Sequence, residues 1–405
     1  MLFQTLDDKT ECVGIYVDNC LHFNLDTIPE SLSRTWSYAP YLRDHEVEYA
    51  SLYLEGKKLN DVVPEYLKDD WTDVSKKIGA FKRSLAISQV NTNENCFFDL
   101  VPKRFLVEWC DIKNKITEHI FKTVTRPVRY KFYHHTTALL SDIANRKLNI
   151  DRRTLKSFEK DPKLGRHVTT ILERPPYVKY NLFGTKTGRL TTTKDSFPIL
   201  TLPKSLRSAI RPQNDYFLEI DFNGAEVRTL LGLLDKEQPN IDIHEFHLAQ
   251  IFKDLTTREE AKVAFFAWLY GSSSTNKTAI AELNKFYDKD LLLNKYWKDG
   301  NIITPYGKTI TGVDAHHALN YLIQSTAADL ALKQALKIDY LLRERGSGSC
   351  VALLIHDAVV LDMKQSDSQL IPMLVELMSS TNFGRFQVNL SQGATLSNMR
   401  KINYG

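Results

Sequence analysis

The chain has 405 residues, 43% of them hydrophobic and 25% charged, which is ordinary globular composition with enough length for two or three packed units. No run of 18 apolar residues occurs, so no membrane span is expected, and the acidic opening MLFQTLDDKTE lacks the basic-then-apolar order of a secretory signal. The formal net charge of +4 says less than its distribution, with twelve Lys/Arg against four Asp/Glu over 122–167 and six against one over 181–211. Basic stretches interleaved with Tyr, His and Phe suit a phosphate-backbone track, and each taken alone suits a solvated basic face equally well.

In chain order, CVGIYVDNCLHFNL (12–25) alternates about Asp18-Asn19 and predicts a hairpin. Residues 30–100 are mixed, with short helical patterns near 61–87. From Phe105 to Leu148 the apolar spacing is helical and breaks at Pro127, and a Pro-, Thr- and Gly-rich loop covers 174–204. A strand is expected at FLEID (217–221), then a turn and a helix, then mainly helices over 242–297. ITPYGKTITG (303–312) predicts a strand pair or long turn, and 315–345 a single long amphipathic helix. VALLIHDAVVLDM (351–363) predicts two apolar strands with a polar centre, followed by a helix near 367–379 and a last strand RFQVNLS (385–391). The cysteines (Cys12, Cys20, Cys96, Cys110, Cys350) are scattered with no CxxC pair, which supports neither a structural zinc nor a disulfide framework and fits a reducing compartment.

Three segments carry candidate chemistry. Asp221 ends an apolar strand ahead of an Asn-Gly turn signal, where a carboxylate can face a cleft; taken alone it is more often a helix cap or turn residue. His356-Asp357 interrupts an apolar run at a hairpin connection, where an ordinary turn aspartate is again the plain alternative and a buried one needs a cation or hydrogen-bond donors. Arg258, Lys262, Phe266 and Tyr270 recur every fourth residue before Gly271, and on a helix they form one stripe about 18 Å long. Two cations followed by two aromatics suit a nucleoside triphosphate lying along the helix, whereas a helix with core aromatics and solvated cations would show the same spacing.

Taken together and in order, these segments resemble the motifs of the DNA polymerase I family (family A). DFNGAEVR (221–228) is similar to motif A, REEAKVAFFAWLYG (258–271) to motif B and IHDA (355–358) to motif C. TGRL (187–190), DIH (242–244) and LNYLIQSTAADL (319–330) resemble accessory segments at the expected places, so that the likeness covers roughly 180–365. The resemblance implies attack of a primer 3′-hydroxyl on the α-phosphate of a dNTP, with two Mg²⁺ ions (Mn²⁺ a substitute) on Asp221, Asp357 and the main-chain carbonyl of Phe222. It also implies that Arg258, Lys262 and His244 attend the triphosphate, that Phe266 and Tyr270 form the sugar and base platform, and that Glu226 excludes a ribose 2′-hydroxyl. Arg189, Asn320, Gln324 and His356 match contacts to primer or template in the minor groove, whose acceptors are nearly sequence-independent. Arg228 is expected to join them or to support the acidic site, with a structural role as the alternative.

Departures from the family pattern are Ala358, where a third carboxylate is usual, Phe265 and Ala267 in motif B, and PILTLPKS (198–205) in place of an Asn-rich segment. The segments before TGRL and between Gly271 and Thr304 are short, as in a pared-down viral enzyme acting in the host cytoplasm with a helicase-primase or processivity factor. The expected fold is α+β, a right hand comprising a small accessory or vestigial exonuclease-like domain (1–105), thumb (106–170), palm (171–234), fingers (235–312) and palm again (313–405). Asp44 with Glu46 and Tyr66 with Asp70 fit bare exonuclease patterns without the expected surrounding strand. The rival readings are a single-subunit RNA polymerase, which Glu226 opposes, and an inactive polymerase-derived DNA-binding protein, which the joint presence of Asp221, Asp357, Arg258 and Lys262 opposes.

Overall fold

A computed structural model describes residues 1–7, 12–271 and 276–403. The chain divides into two compact units, Met1–Arg146 and Lys147–Gly405, and the division falls inside the segment expected as the thumb.

In the first unit, β1 (Gln4–Thr5), β2 (Ile15–Val17) and β3 (Cys20–His22) form a small antiparallel sheet. The hairpin between the last two turns on Asp18 (φ 47°) and Asn19 (φ 63°), the left-handed pair that a two-residue connection requires. Helix α1 (Lys68–Ile87) merges the separate short patterns near 61–87 into one element, and α2 (Lys103–Thr123) and α3 (Tyr130–Ala144) flank the expected break at Pro127. Phe98, Phe105, Leu106 and Ile116 are buried in this unit's core. Cys12 and Cys96 are disulfide-bonded with Cα atoms 5.8 Å apart, which corrects the expectation of no disulfide: cysteines 84 positions apart share no local pattern. Asp44 and Glu46 are exposed and lie outside any strand.

The second unit is built on a five-stranded antiparallel sheet. Its strands are β4 (Tyr216–Phe222), β5 (Cys350–Ile355), β6 (Ala358–Met363), β7 (Val388–Gly393) and β8 (Arg400–Lys401), in the order β5-β6-β4-β7-β8. β4 therefore lies at the centre, hydrogen-bonded to β6 on one side and β7 on the other. The expected strand 385–391 is divided: Gly384–Arg385 pairs with Ser380–Thr381, Phe386 turns into the core, and β7 begins at Val388, with β8 as a further strand. Around the sheet and its connections stand α4 (Ala225–Leu233), α5 (Ile243–Gln250), α6 (Arg258–Leu269), α7 (Lys277–Phe286), the 30-residue α8 (Ala315–Glu344) and α9 (Ile371–Ser379). Strands 301–303 and 309–310 pair as expected. A core of Val227, Leu230, Phe265, Leu283, Leu322 and Ile323 joins α4, α6, α7 and α8. Among the described residues, no helix is long and apolar enough to cross a membrane.

Candidate active site

β4 alternates as a half-covered strand does. Leu218, Ile220 and Phe222 are buried on one face, while Glu219 and Asp221 on the other are only partly covered. Ile220 pairs with Val359, so the next residue, Asp221, falls beside Ala358 and next to Asp357 in the two-residue β5–β6 connection. Two acids 136 positions apart in sequence thus reach one end of the sheet. A register irregularity between Val351 and Leu353 bends β5 just before this turn. The hydroxyl of Tyr180 then takes up both backbone groups of Leu354, accepting from its N–H at 3.0 Å and donating to its carbonyl at 2.7 Å.

The electrostatics are those of crowded anions. Burial pushes the Asp221 carboxyl up to about 7, and the charges of Asp357 and Glu219 add to the shift. Burial likewise raises Asp357, against the opposing pull of a backbone hydrogen bond, His356 and Arg189. The Phe222 carbonyl accepts the Gly224 N–H at 2.8 Å and keeps a second lone pair. Gly224 (φ 73°) forms the turn into α4, and a Cβ there would come within 2.5 Å of an Ile243 methyl.

α6 starts from a capping box: the Glu260 N–H donates to Thr257 Oγ1 at 3.2 Å and the Thr257 N–H donates to Glu260 Oε2 at 3.0 Å. Ala261, Ala264, Phe265 and Leu269 face the core, which leaves Arg258, Lys262, Phe266 and Tyr270 as the outward stripe. The Phe266 and Tyr270 rings stack with centroids 5.7 Å apart. Gly271 (φ 64°) ends the helix against His316, whose ring would lie 2.3 Å from an added Cβ. The Tyr270 hydroxyl donates to Glu226 Oε2 at 3.1 Å, and Arg189 closes an ion pair on Glu226 Oε1. Gln324 also hydrogen-bonds Tyr270 and sits one helical turn from Asn320 on α8. The stripe, the Glu226 carboxylate and the Arg189 loop are therefore tied together, while His356 stands exposed on the hairpin turn with φ 57°.

One expectation needs correction and another gains detail. Arg228 is fully buried, so it cannot contact DNA. Its guanidinium donates to the carbonyls of Asn223 (2.7 Å), Pro239 (2.9 Å) and Ile241 (2.8 Å) and to Gln387 Oε1 (3.2 Å), pinning the turn after β4 to the 239–241 loop. His244 is 4% exposed, and burial lowers its pKa to about 4, so near neutrality it offers a hydrogen bond and not a charge.

Sequence reasoning missed Tyr180, Glu219, Asn223 and Asp242. Asp242 carried a legible signal, an Asp directly before a helical pattern, and its side chain caps α5 by accepting the N–H groups of His244 (3.0 Å) and Glu245 (3.2 Å). The same carboxylate takes Arg258 in a bidentate pair, Nε at 2.9 Å and Nη2 at 2.8 Å.

No family model matches the chain. Among curated proteins it is similar to DNA polymerase I of Caldicellulosiruptor bescii, 24% identical over 262 residues that make up 53% of this chain and 30% of that protein. It is similar also to DNA polymerase I of Pseudomonas aeruginosa (24% over 235 residues, 47% of this chain and 26% of the relative) and to the DNA polymerase of Mycobacterium phage D29 (27% over 210 residues, 43% and 33%). The chain thus spans a third or less of the length of these relatives. Among solved structures, the POL domain of Pol1 from M. smegmatis, in complex with a DNA primer-template and dNTP, superposes with a TM-score of 0.69 at 13% identity. That match covers 98% of this chain and 95% of the other, and it establishes the α+β polymerase-domain fold.

Proposed function

The chain is a relative of the family A, DNA polymerase I-type enzymes in sequence and in fold, and from that premise we propose that it is a template-directed DNA polymerase whose chemistry centres on Asp221 and Asp357. The observation that carries this reading is the meeting of the two acids at one end of the sheet, in the unit whose α6 stripe reaches Glu226 through Tyr270. In the reaction a primer 3′-oxygen bonds to the α-phosphorus, its proton leaves, the α–β phosphoanhydride bond breaks and pyrophosphate departs.

Two half-buried carboxylates, both raised by burial and Asp221 also by the charge of Asp357, suit a bound dication. Among the described residues no group of three or more His, Cys, Asp or Glu side chains is placed to hold a metal ion together, and the smaller set of two carboxylates and the Phe222 carbonyl fits Mg²⁺, which keeps several waters, with Mn²⁺ as substitute. When bound, such ions supply charge stabilisation to the attacking and departing oxygens. The protein's own groups do the rest. Arg258 and Lys262 meet the phosphates, the neutral His244 donates a hydrogen bond, and Phe266 and Tyr270 stack beneath sugar and base. Glu226, held by Arg189 and Tyr270, fills the space a ribose 2′-hydroxyl would need. Arg189, Asn320, Gln324 and His356 track primer and template through the minor groove. Similarity to a phage polymerase supports a role in viral DNA replication, with a helicase-primase or processivity factor as partner.

Primer extension tests the reading. The chain with primed template and Mg²⁺ is expected to extend with dNTPs and not with rNTPs, and Asp221→Asn and Asp357→Asn each to lower kcat by at least about 10³-fold with template binding retained. Extension by either variant at the wild-type rate would refute the assignment.

A further inference from the structure

Building on the proposed activity, we infer that Asp242 is a positioning residue for the incoming triphosphate, one that aims Arg258 and sets its place relative to the Asp221 strand. A single carboxylate here serves three elements. Its Oδ2 accepts from Asn223 Nδ2 at 2.8 Å, two residues beyond Asp221. Its Oδ1 caps the helix that bears His244. Both oxygens take the Nε–Nη2 edge of Arg258, the first residue of α6. Asn223 answers through its own Oδ1, which accepts the Ile243 N–H at 2.9 Å.

Only a carboxylate meets all these demands. Ser or Asn would cap α5, but neither offers two anionic oxygens to a planar fork. The edge that Asp242 grips leaves Nη1 of Arg258 directed elsewhere, and in the free chain Nη1 meets Glu259 at 2.6 Å. Glu259 is 71% exposed, so its pair is a weak, solvent-screened competitor that a triphosphate can displace. Asp242 is mostly enclosed, its side chain 19% exposed, and stays ionised: burial pushes its carboxyl up, but the hydrogen bonds from Arg258, Asn223 and the α5 N-terminus hold it well below the usual range. An arginine fixed in advance by one edge loses less freedom when phosphate takes the other.

The experiment is steady-state extension by wild type, Asp242→Asn, Asp242→Ser, Arg258→Ala and the Asp242→Asn/Arg258→Ala pair, with thermal melts to confirm folding. Asp242→Ser keeps a cap if the amide, a donor facing donors, unfolds the site. The expected result is a KM for dNTP raised about 10-fold with kcat within about threefold, and a double variant no worse than Arg258→Ala alone. An unchanged KM in a folded variant, or effects of the two positions that multiply, would overturn the inference. Calorimetry of inorganic triphosphate binding separates this outcome from failure of the proposed activity. If wild type extends no primer, the polymerase reading fails, yet binding weakened about 10-fold by Asp242→Ser still upholds the role of Asp242. Binding that is equal in both, or absent in wild type, overturns it.

Discussion

Asp221 shows how a single side chain records the demands of a site. Its folded pKa of about 7 lies above the ordinary carboxylate value of 3.8, so the native chain binds an extra proton between those values and loses stability as pH rises through that window. Asp221→Asn removes the charge and is therefore expected to melt several degrees above wild type near pH 8 in chelator, each kcal/mol being about 2–4 °C for a domain of this size. Below about pH 4 the two should converge, and calorimetry at both pH values checks it. The positions of Asp221, Asp357 and the α6 stripe were legible because strand ends, hairpin centres and fourfold spacing leave local marks. Arg228 and His244 were less so. Whether an arginine faces DNA or three carbonyls, or an imidazole is wet or buried, depends on loops such as 239–241 that no periodicity encodes.

Among the elements, the β5–β6 hairpin carries the sharpest conflict between local stability and function. His356 occupies the left-handed region, where glycine is at ease and other residues incur about 1 kcal/mol. His356→Gly is accordingly expected to raise the melting temperature while weakening primer-template affinity, measured by calorimetry and by titration of labelled DNA; an unchanged affinity would remove His356 from the proposed contacts. Long elements read well from sequence. α8 spans Ala315–Glu344 against an expected 315–345, and the α2–α3 break falls about Pro127. The segment 385–391 did not, because its alternation cannot reveal that Arg385 and Val388 serve different partner strands while Phe386 enters the core between them.

At the level of the whole molecule, each unit has its own core, and the Cys12–Cys96 bond lies wholly in the first. Closing a loop of 84 residues stabilises by about 2–4 kcal/mol. Reduction is therefore expected to lower the melting transition of the 1–146 unit and leave that of the 147–405 unit in place, as resolved by calorimetry with and without dithiothreitol; a uniform shift of one transition would contradict it. The two acids of the second unit are mounted differently. Asp221 is seated on a strand clamped along both edges, whereas Asp357 rides a short bend next to the outermost strand. The arrangement is that of a vice with one fixed and one adjustable jaw. Small changes in gap fall on the bend, and the strand keeps its alignment.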